Sequence, residues 1–163
     1  MTEQSVVEGR TAAGKKGEGK ALWFLGGLYE IRLSSDDTGG ATTIVEFTLP
    51  PGAGPPPHIH DQDEIAYVVE GKVRFHVNDD AIEAGPGAVF YMPRGTLEWW
   101  EPITDSRVLA VYSPGGIDKF FAEVGEPAPR REVPPPLTSP PDLAALAAVA
   151  AKYGLELKAP PGN

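Results

Sequence analysis

Apolar and polar residues alternate in short runs along most of the chain, and small turn-forming residues separate these runs. Such runs are typical of β-strands when branched and aromatic residues dominate them. Those between residues 21 and 113 are ALWFL, LYEIRL, TTIVEFTL, IAYVVE, KVRFHV, AIEA, AVFYM, TLEWWE and RVLAVYS. Glycine, proline, asparagine and aspartate fill the intervals and favour turns there. Because no long helical pattern interrupts the runs, they predict a closed or sandwiched antiparallel sheet.

Helical spacing of apolar residues occurs only near the end of the chain. It predicts one helix over Ile117–Val124, followed by Gly125 as a stop. A proline-rich connector runs from Glu126 to Pro141. Ser139 then resembles a helix cap before a second apolar stripe. This second helix is expected either to pack on the outer wall of the barrel or to form a dimer contact.

These patterns divide the chain into three parts. Residues 1–20 are polar and glycine-rich and predict a flexible N-terminal arm. Residues 21–125 hold the strands of the barrel, and residues 126–163 hold the connector and the C-terminal helix packed on the barrel. Exposed edge strands in such a barrel favour a homodimer.

Composition and charge exclude several classes of partner. The 163 residues carry a net charge of -9, which disfavours binding to nucleic acid or to anionic membranes. There are no cysteines, so disulfide and thiolate chemistry are excluded. The opening MTEQSVVEGR lacks the apolar stretch of a secretory signal, and no run is long enough to span a membrane. We therefore expect a cytoplasmic protein.

A candidate metal site follows the proline-rich loop at residues 50–57. His58 and His60 are two residues apart on a strand, so both side chains point to the same face. Glu64 follows four residues later and can add a carboxylate. Two imidazoles and a carboxylate with open positions suit iron, manganese, nickel or cobalt better than a closed zinc site. His76, the remaining histidine, is expected at the surface.

The spacing around these residues resembles the cupin superfamily. Gly52, His58, His60, Glu64 and Gly71 occupy every fixed position of its first motif. The resemblance implies a jelly-roll β-barrel, an all-β fold, here with short C-terminal α-helices. The flanking segments WFLGGLYEIR and YSPGGIDKFF are similar to single-domain cupins of the quercetin-dioxygenase-like type.

The second cupin motif is present with one substitution. Gly87, Pro93 and Gly95 match it, but Glu98 stands where the family has histidine. Since the family places this residue inside the barrel, strand alternation puts Glu98 and Trp100 in the pocket. Glu98 then either completes a site of two histidines and two carboxylates, or forms a metal-free proton-transfer pair with Glu64.

The resemblance also implies a chemistry. It predicts one divalent transition metal, iron, manganese, nickel or cobalt before zinc, and an oxygenase reaction on an aromatic or enolic small molecule. Glu64 and Glu98 are the predicted catalytic residues and, with His58 and His60, the metal ligands. The predicted substrate-binding residues are Trp100, Phe90, Tyr91 and Met92. The alternatives are a non-redox polyketide cyclase or isomerase working by proton transfer, and a small-molecule-binding protein without turnover.

Overall fold

Two antiparallel sheets form the barrel in the computed structural model, which describes residues 11–159. The strands are β1 (Ala21–Phe24), β2 (Gly27–Leu33), β3 (Thr43–Leu49), β4 (His58–His60), β5 (Asp63–Glu70), β6 (Val73–Val77), β7 (Asp80–Ala84), β8 (Val89–Met92), β9 (Glu98–Pro102), β10 (Ser106–Ser113), β11 (Glu126–Pro127) and β12 (Leu155–Leu157). The helices are α1 (Ile117–Val124) and α2 (Leu143–Ala151). The predicted all-β jelly-roll class is confirmed.

The order of strands explains how the barrel closes. One sheet has seven strands in the order β11-β1-β2-β3-β10-β5-β8, and the other has five in the order β12-β4-β9-β6-β7. The chain crosses between the sheets several times, so residues distant in sequence meet across the interior. Each predicted run from residue 21 to residue 113 overlaps a strand. Alternation between a buried face and a more exposed face is clearest in β5, β9 and β10, whereas β7 has no buried residue.

The core lies between the two sheets. Strand β10 shows the pattern most clearly, since alternate residues from Ser106 to Tyr112 are buried and those between them are half-buried. The largest fully buried apolar side chains are Tyr29, Phe75, Leu22, Leu49, Met92, Val45, Val68, Val73 and Val108. The interior is therefore mostly apolar, and buried charged groups stand out against it.

The C-terminal segment differs from its prediction in two details. Helix α2 begins after Asp142, whose carboxylate accepts a 3.0 Å hydrogen bond from the Ala145 amide, and not after Ser139. Pro141 explains the later start, because a proline disfavours helical backbone at the residue before it. Two short strands were not predicted: β11, which pairs with β1 inside the predicted connector, and β12. Strand β12 pairs with β4 and places Leu155 opposite His60.

Helix α2 packs against α1 and β12. Within residues 11–159, neither helix has the length and apolar character needed to cross a bilayer. The predicted arm, residues 1–20, lies partly outside the described residues, so the division into three parts stays a prediction.

The outer face of β5 and the edge strand β8 carries exposed apolar pairs. Ile65 lies opposite Tyr91, and Tyr67 lies opposite Val89. On β5, Ile65 is 45% and Tyr67 is 42% exposed; on β8, Val89 and Tyr91 are each 63% exposed. The predicted homodimer stays a prediction.

Candidate metal site and cavity

Strand β4 presents both histidines to the interior. His58 and His60 are 8% and 3% exposed, while Ile59 between them faces outward. Strand β4 pairs with β12 along one edge and with β9 along the other, where His58 lies opposite Glu98. The Gly95 amide also donates to the His60 carbonyl at 3.0 Å, which fixes the turn that precedes β9. The predicted i, i+2 geometry is therefore present.

Backbone carbonyls orient both imidazole rings. The Nδ1 atom of His58 lies 2.8 Å from the Pro56 carbonyl oxygen, and that of His60 lies 3.0 Å from the Gln62 carbonyl oxygen. A carbonyl can only accept, so each Nδ1 carries the proton and donates. The Nε2 atom of each ring is then left for a proton or a metal ion, as in most histidine metal sites.

Two buried carboxylates complete the cluster from opposite sheets. Glu64 on β5 is 0% exposed and Glu98 on β9 is 1% exposed. The Nε2 atom of His60 lies 2.9 Å from Glu64 Oε2 and 3.0 Å from Glu98 Oε1. His58 Nε2 lies 3.3 Å from the same Glu98 oxygen. We call these four residues the metal cluster.

The two carboxylates hold different protonation states in the metal-free protein. Burial and the charge of Glu98 raise the pKa of Glu64 well above its usual range. Burial also acts to raise the pKa of Glu98, but hydrogen bonds from Glu64, His58 and His60 outweigh it and lower that pKa. Burial, followed by the charges of Glu64 and Glu98, raises the pKa of Tyr112. One proton is thus shared within the carboxylate pair.

The metal cluster fits a divalent transition metal. Metal–nitrogen and metal–oxygen bonds of about 2.1 Å at right angles place neighbouring ligand atoms about 3.0 Å apart. The three distances of 2.9, 3.0 and 3.3 Å match that spacing. The second oxygens, Glu64 Oε1 and Glu98 Oε2, are buried without a hydrogen-bond partner among residues 11–159. His58, His60 and Glu98 in particular form a group that could hold one metal ion.

A narrow apolar cavity adjoins the metal cluster. It is partly open to solvent, and its volume of about 470 Å³ includes that open space. His58 and Glu98 lie in its wall. The rest of the wall consists mainly of aromatic and aliphatic side chains. They are Phe24, Leu25, Tyr29, Phe47, Pro55, Pro56, Trp100, Tyr112, Ile117, Phe120, Phe121, Leu146, Leu155 and Leu157. The C-terminal segment therefore contributes to the cavity through α2 and β12.

The four predicted substrate-binding residues lie in different surroundings. Trp100 lines the cavity and is 3% exposed. Phe90 stacks on Phe75 with ring centroids 4.1 Å apart, and Met92 is buried opposite Glu64; neither lines the cavity. Tyr91 faces solvent and is 63% exposed, because alternation along β8 turns it away from its neighbours. Only Trp100 of the four meets the cavity.

Sequence reasoning missed Tyr29 and Tyr112, which both line the cavity. Alternation offered a signal for each. Tyr29 shares a strand face with Ile31, and Tyr112 shares one with Ala110. The proposed surface position of His76 is confirmed, since it stacks on Trp99 at 4.2 Å on the outer face and lies 2.6 Å from Glu101.

Comparison with known proteins agrees with this geometry. Residues 45–112 match the family model of the cupin domain. Over 56 residues it is also 38% identical to an uncharacterized protein of Streptomyces coelicolor; the matched segment covers 34% of this chain and 53% of that protein. The chain thus spans about half the length of this curated relative.

Two solved structures are similar over about two thirds of this chain. KdgF from Halomonas sp. is 23% identical with a TM-score of 0.59, over 66% of this chain and 99% of that chain. The polyketide cyclase RemF from Streptomyces resistomycificus is 25% identical with a TM-score of 0.50, over 63% of this chain and 72% of that chain. These matches do not separate the quercetin-dioxygenase-like subtype from other cupins, so that subtype stays a prediction.

Proposed function

We propose that this cupin is a metal-dependent oxygenase that acts on an aromatic or enolic small molecule. The observation that carries the proposal is the contact between the metal cluster and the cavity. His58 and Glu98 belong to both, so a molecule in the cavity would lie against side chains of the metal cluster. Such a convergence of a few polar groups in an apolar pocket is typical of a small-molecule site.

The donor set supports the choice of metal and of substrate. Two imidazoles and two carboxylates make a hard, anionic site, which suits iron, manganese, nickel or cobalt. When bound, such an ion supplies a Lewis acid for an enolic or phenolic oxygen and a route for electrons from the substrate to dioxygen. The aromatic walls at Phe47 and Trp100 favour a flat ligand.

Glu64 is the proposed proton acceptor. It is the fully buried member of the metal cluster on β5, and its Oε1 atom has no hydrogen-bond partner within the described residues. In the proposed reaction the charge of a bound metal favours the ionised form of Glu64, which then takes the proton of the substrate hydroxyl. The substrate is oxidised by dioxygen, both atoms of which enter the product. The reaction then needs no external reductant. Glu98 holds the metal and keeps its charge beside both imidazoles.

Oxygen uptake tests this proposal. Purified protein is loaded in turn with Fe(II), Mn(II), Ni(II) and Co(II), and oxygen consumption is followed with the flavonol quercetin as the first substrate. We expect uptake with at least one metal, two ¹⁸O atoms per product from ¹⁸O₂, and loss of uptake in His58→Ala. A surface variant, His76→Ala, serves as the matched control. Absence of uptake with quercetin and with smaller enols for all four metals would refute the oxygenase proposal.

A second candidate is proton transfer without oxidation, as in a cyclase or isomerase. It is supported by the adjacent carboxylates Glu64 and Glu98 and by the similarity to a polyketide cyclase. Under this proposal the protein accelerates exchange of an enolisable C–H with D₂O while oxygen is absent. NMR detects that exchange, and Glu64→Gln should remove it. Ligand binding with neither activity would instead indicate a binding protein without turnover.

A further inference from the structure

The two sheets differ in the chemistry of their outer faces. On the five-stranded sheet, Arg74 of β6 forms ion pairs with Glu83 of β7 and Glu101 of β9. On the seven-stranded sheet, outward positions of four neighbouring strands are apolar instead. They are Ile44 on β3, Leu109 and Val111 on β10, Ile65 and Tyr67 on β5, and Val89 and Tyr91 on β8. We call these seven residues the apolar outer face.

Strand register brings the apolar outer face together as two rows. The first row crosses β3, β10, β5 and β8 as Ile44, Val111, Ile65 and Tyr91. The second row crosses β10, β5 and β8 as Leu109, Tyr67 and Val89. It ends at Glu46 on β3, whose carboxylate accepts hydrogen bonds from Arg32 and Arg107. Opposite side chains on neighbouring strands are about 5 Å apart, so the two rows form one continuous surface.

Much of this surface is open to solvent. The four side chains on β5 and β8 are 42–63% exposed, and the three on β3 and β10 are half-buried. Taking about 150–250 Å² for a large side chain, these exposed fractions leave roughly 500 Å² accessible. An apolar patch of about 300–600 Å² on a single chain is often functional. Two such faces in contact would remove about 1,000 Å² from water, which is the lower limit for a specific interface.

The charged residues at the two ends of the apolar outer face suit contact with a second copy. Arg94 pairs with Asp63 at 3.2 Å at one end, and Arg107 pairs with Glu70 at 2.5 Å at the other. Each end therefore offers both an acid and a base. In whichever direction two copies pair about a two-fold axis, an acid of one copy can meet a base of the other. The net charge of -9 therefore does not oppose contact through this face.

We propose that the apolar outer face is the interface of a two-fold symmetric dimer of this chain. A second copy fits because the face matches itself both in apolar area and in charge, as a symmetric interface requires. The two sheets would pack about 10 Å apart, as in other sheet-on-sheet contacts. None of the seven residues, all of which the structure describes, lines the cavity. The inference is therefore independent of the proposed function, and it assigns the expected homodimer to one surface.

Sedimentation velocity tests this interface with a matched pair of variants. We expect the unmodified protein to be a dimer at about 10 µM. Ile65→Lys places an unpaired charge in the centre of the contact and should raise the dissociation constant at least about 100-fold. Ile82→Lys is the control, because Ile82 is 46% exposed against 45% for Ile65 but lies on β7 of the other sheet. The control should sediment as the unmodified protein does.

Radical labelling of the unmodified protein gives a readout that does not depend on the folding of a variant. Hydroxyl radicals oxidise accessible tyrosines, and mass spectrometry locates the products. The chain has five tyrosines, and Tyr91 is the most exposed of them at 63%. In an isolated chain Tyr91 should therefore react fastest. In the proposed dimer it should react more slowly than Tyr153, which follows α2 and lies outside the apolar outer face.

Two sets of results would overturn the inference. The first is a chain that stays monomeric up to about 50 µM. Removal of residues 1–10 then separates the other occupants: faster labelling of Tyr91 would assign the face to that segment, and unchanged labelling would leave it for a different protein. The second is a dimer that persists in Ile65→Lys while Tyr91 still reacts fastest, which would place the interface elsewhere. Neither set involves oxygen uptake, so both are separate from failure of the proposed function.

Discussion

Replacing Glu98 by glutamine should remove most of the stabilisation that a bound metal gives to the fold. Glu98 Oε1 lies 3.0 Å from His60 Nε2 and 3.3 Å from His58 Nε2, so it is at the centre of the metal cluster. Glutamine keeps the size of the side chain but removes its charge. Because altered partners of metal ligands already cost about 10- to 100-fold in affinity, loss of a charged ligand should cost about 100-fold.

The size of the effect follows from binding linkage. At a metal concentration of 100 times Kd, the wild type gains about 2.7 kcal/mol. For a chain of this length that gain corresponds to a rise in Tm of roughly 5–11 °C. After a 100-fold loss of affinity the same concentration adds only about 0.4 kcal/mol, or roughly 1–2 °C.

Scanning calorimetry with and without Mn(II) or Ni(II) measures this difference directly. Glu101→Gln is the matched control, since Glu101 lies on the same strand but on the exposed outer face. It should keep the full metal-dependent rise in Tm. If Glu98→Gln shows the same rise as the wild type, Glu98 is not a ligand and the geometric reasoning is wrong.

Three further changes test the fold around the site. Phe75→Ala removes a fully buried ring and should lower the free energy of unfolding by about 3–5 kcal/mol in urea denaturation; a loss under 1 kcal/mol would contradict the assigned core. Leu155→Ala should cost about 2–4 kcal/mol and increase dye binding by the cavity, since Leu155 is buried in its wall; unchanged dye binding would argue against that role. Gly71→Ala should lower the free energy of unfolding by at least about 2 kcal/mol more than Gly40→Ala does. Both glycines have positive φ, but only at Gly71 would an added Cβ meet a backbone oxygen, that of Asp105, at 2.2 Å. Equal thermal stability of the two variants would refute this.

The inward-facing part of the site could be predicted from local alternation. Residues two apart on a strand share a face, so alternation predicted that His58 points the same way as His60 and that Glu98 points the same way as Trp100. The inward direction came from the resemblance to cupins, and all four side chains are buried. Alternation also explains why Tyr91 faces away from Phe90 and Met92, its two neighbours on β8. Parity alone did not show which of the two faces each residue would take.

The long-range features were not available from the sequence. Strand β12 has only three residues, and its pairing with β4 depends on how the preceding helix α2 folds back. The cavity wall brings together Tyr29 of one sheet and Trp100 of the other, which both pack against Phe47, and no single run reveals these contacts. Pro141 moved the start of α2, and that effect could have been predicted from the residue order alone.

The most direct test of the account is an anomalous-scattering map from crystals of the metal-loaded protein, recorded at the absorption edge of the bound metal. We predict one strong peak in the barrel, about 2.1 Å from the Nε2 atoms of His58 and His60 and within bonding distance of a Glu98 oxygen. A map without a peak between these side chains, or with the metal bound elsewhere on the chain, would contradict the central claim.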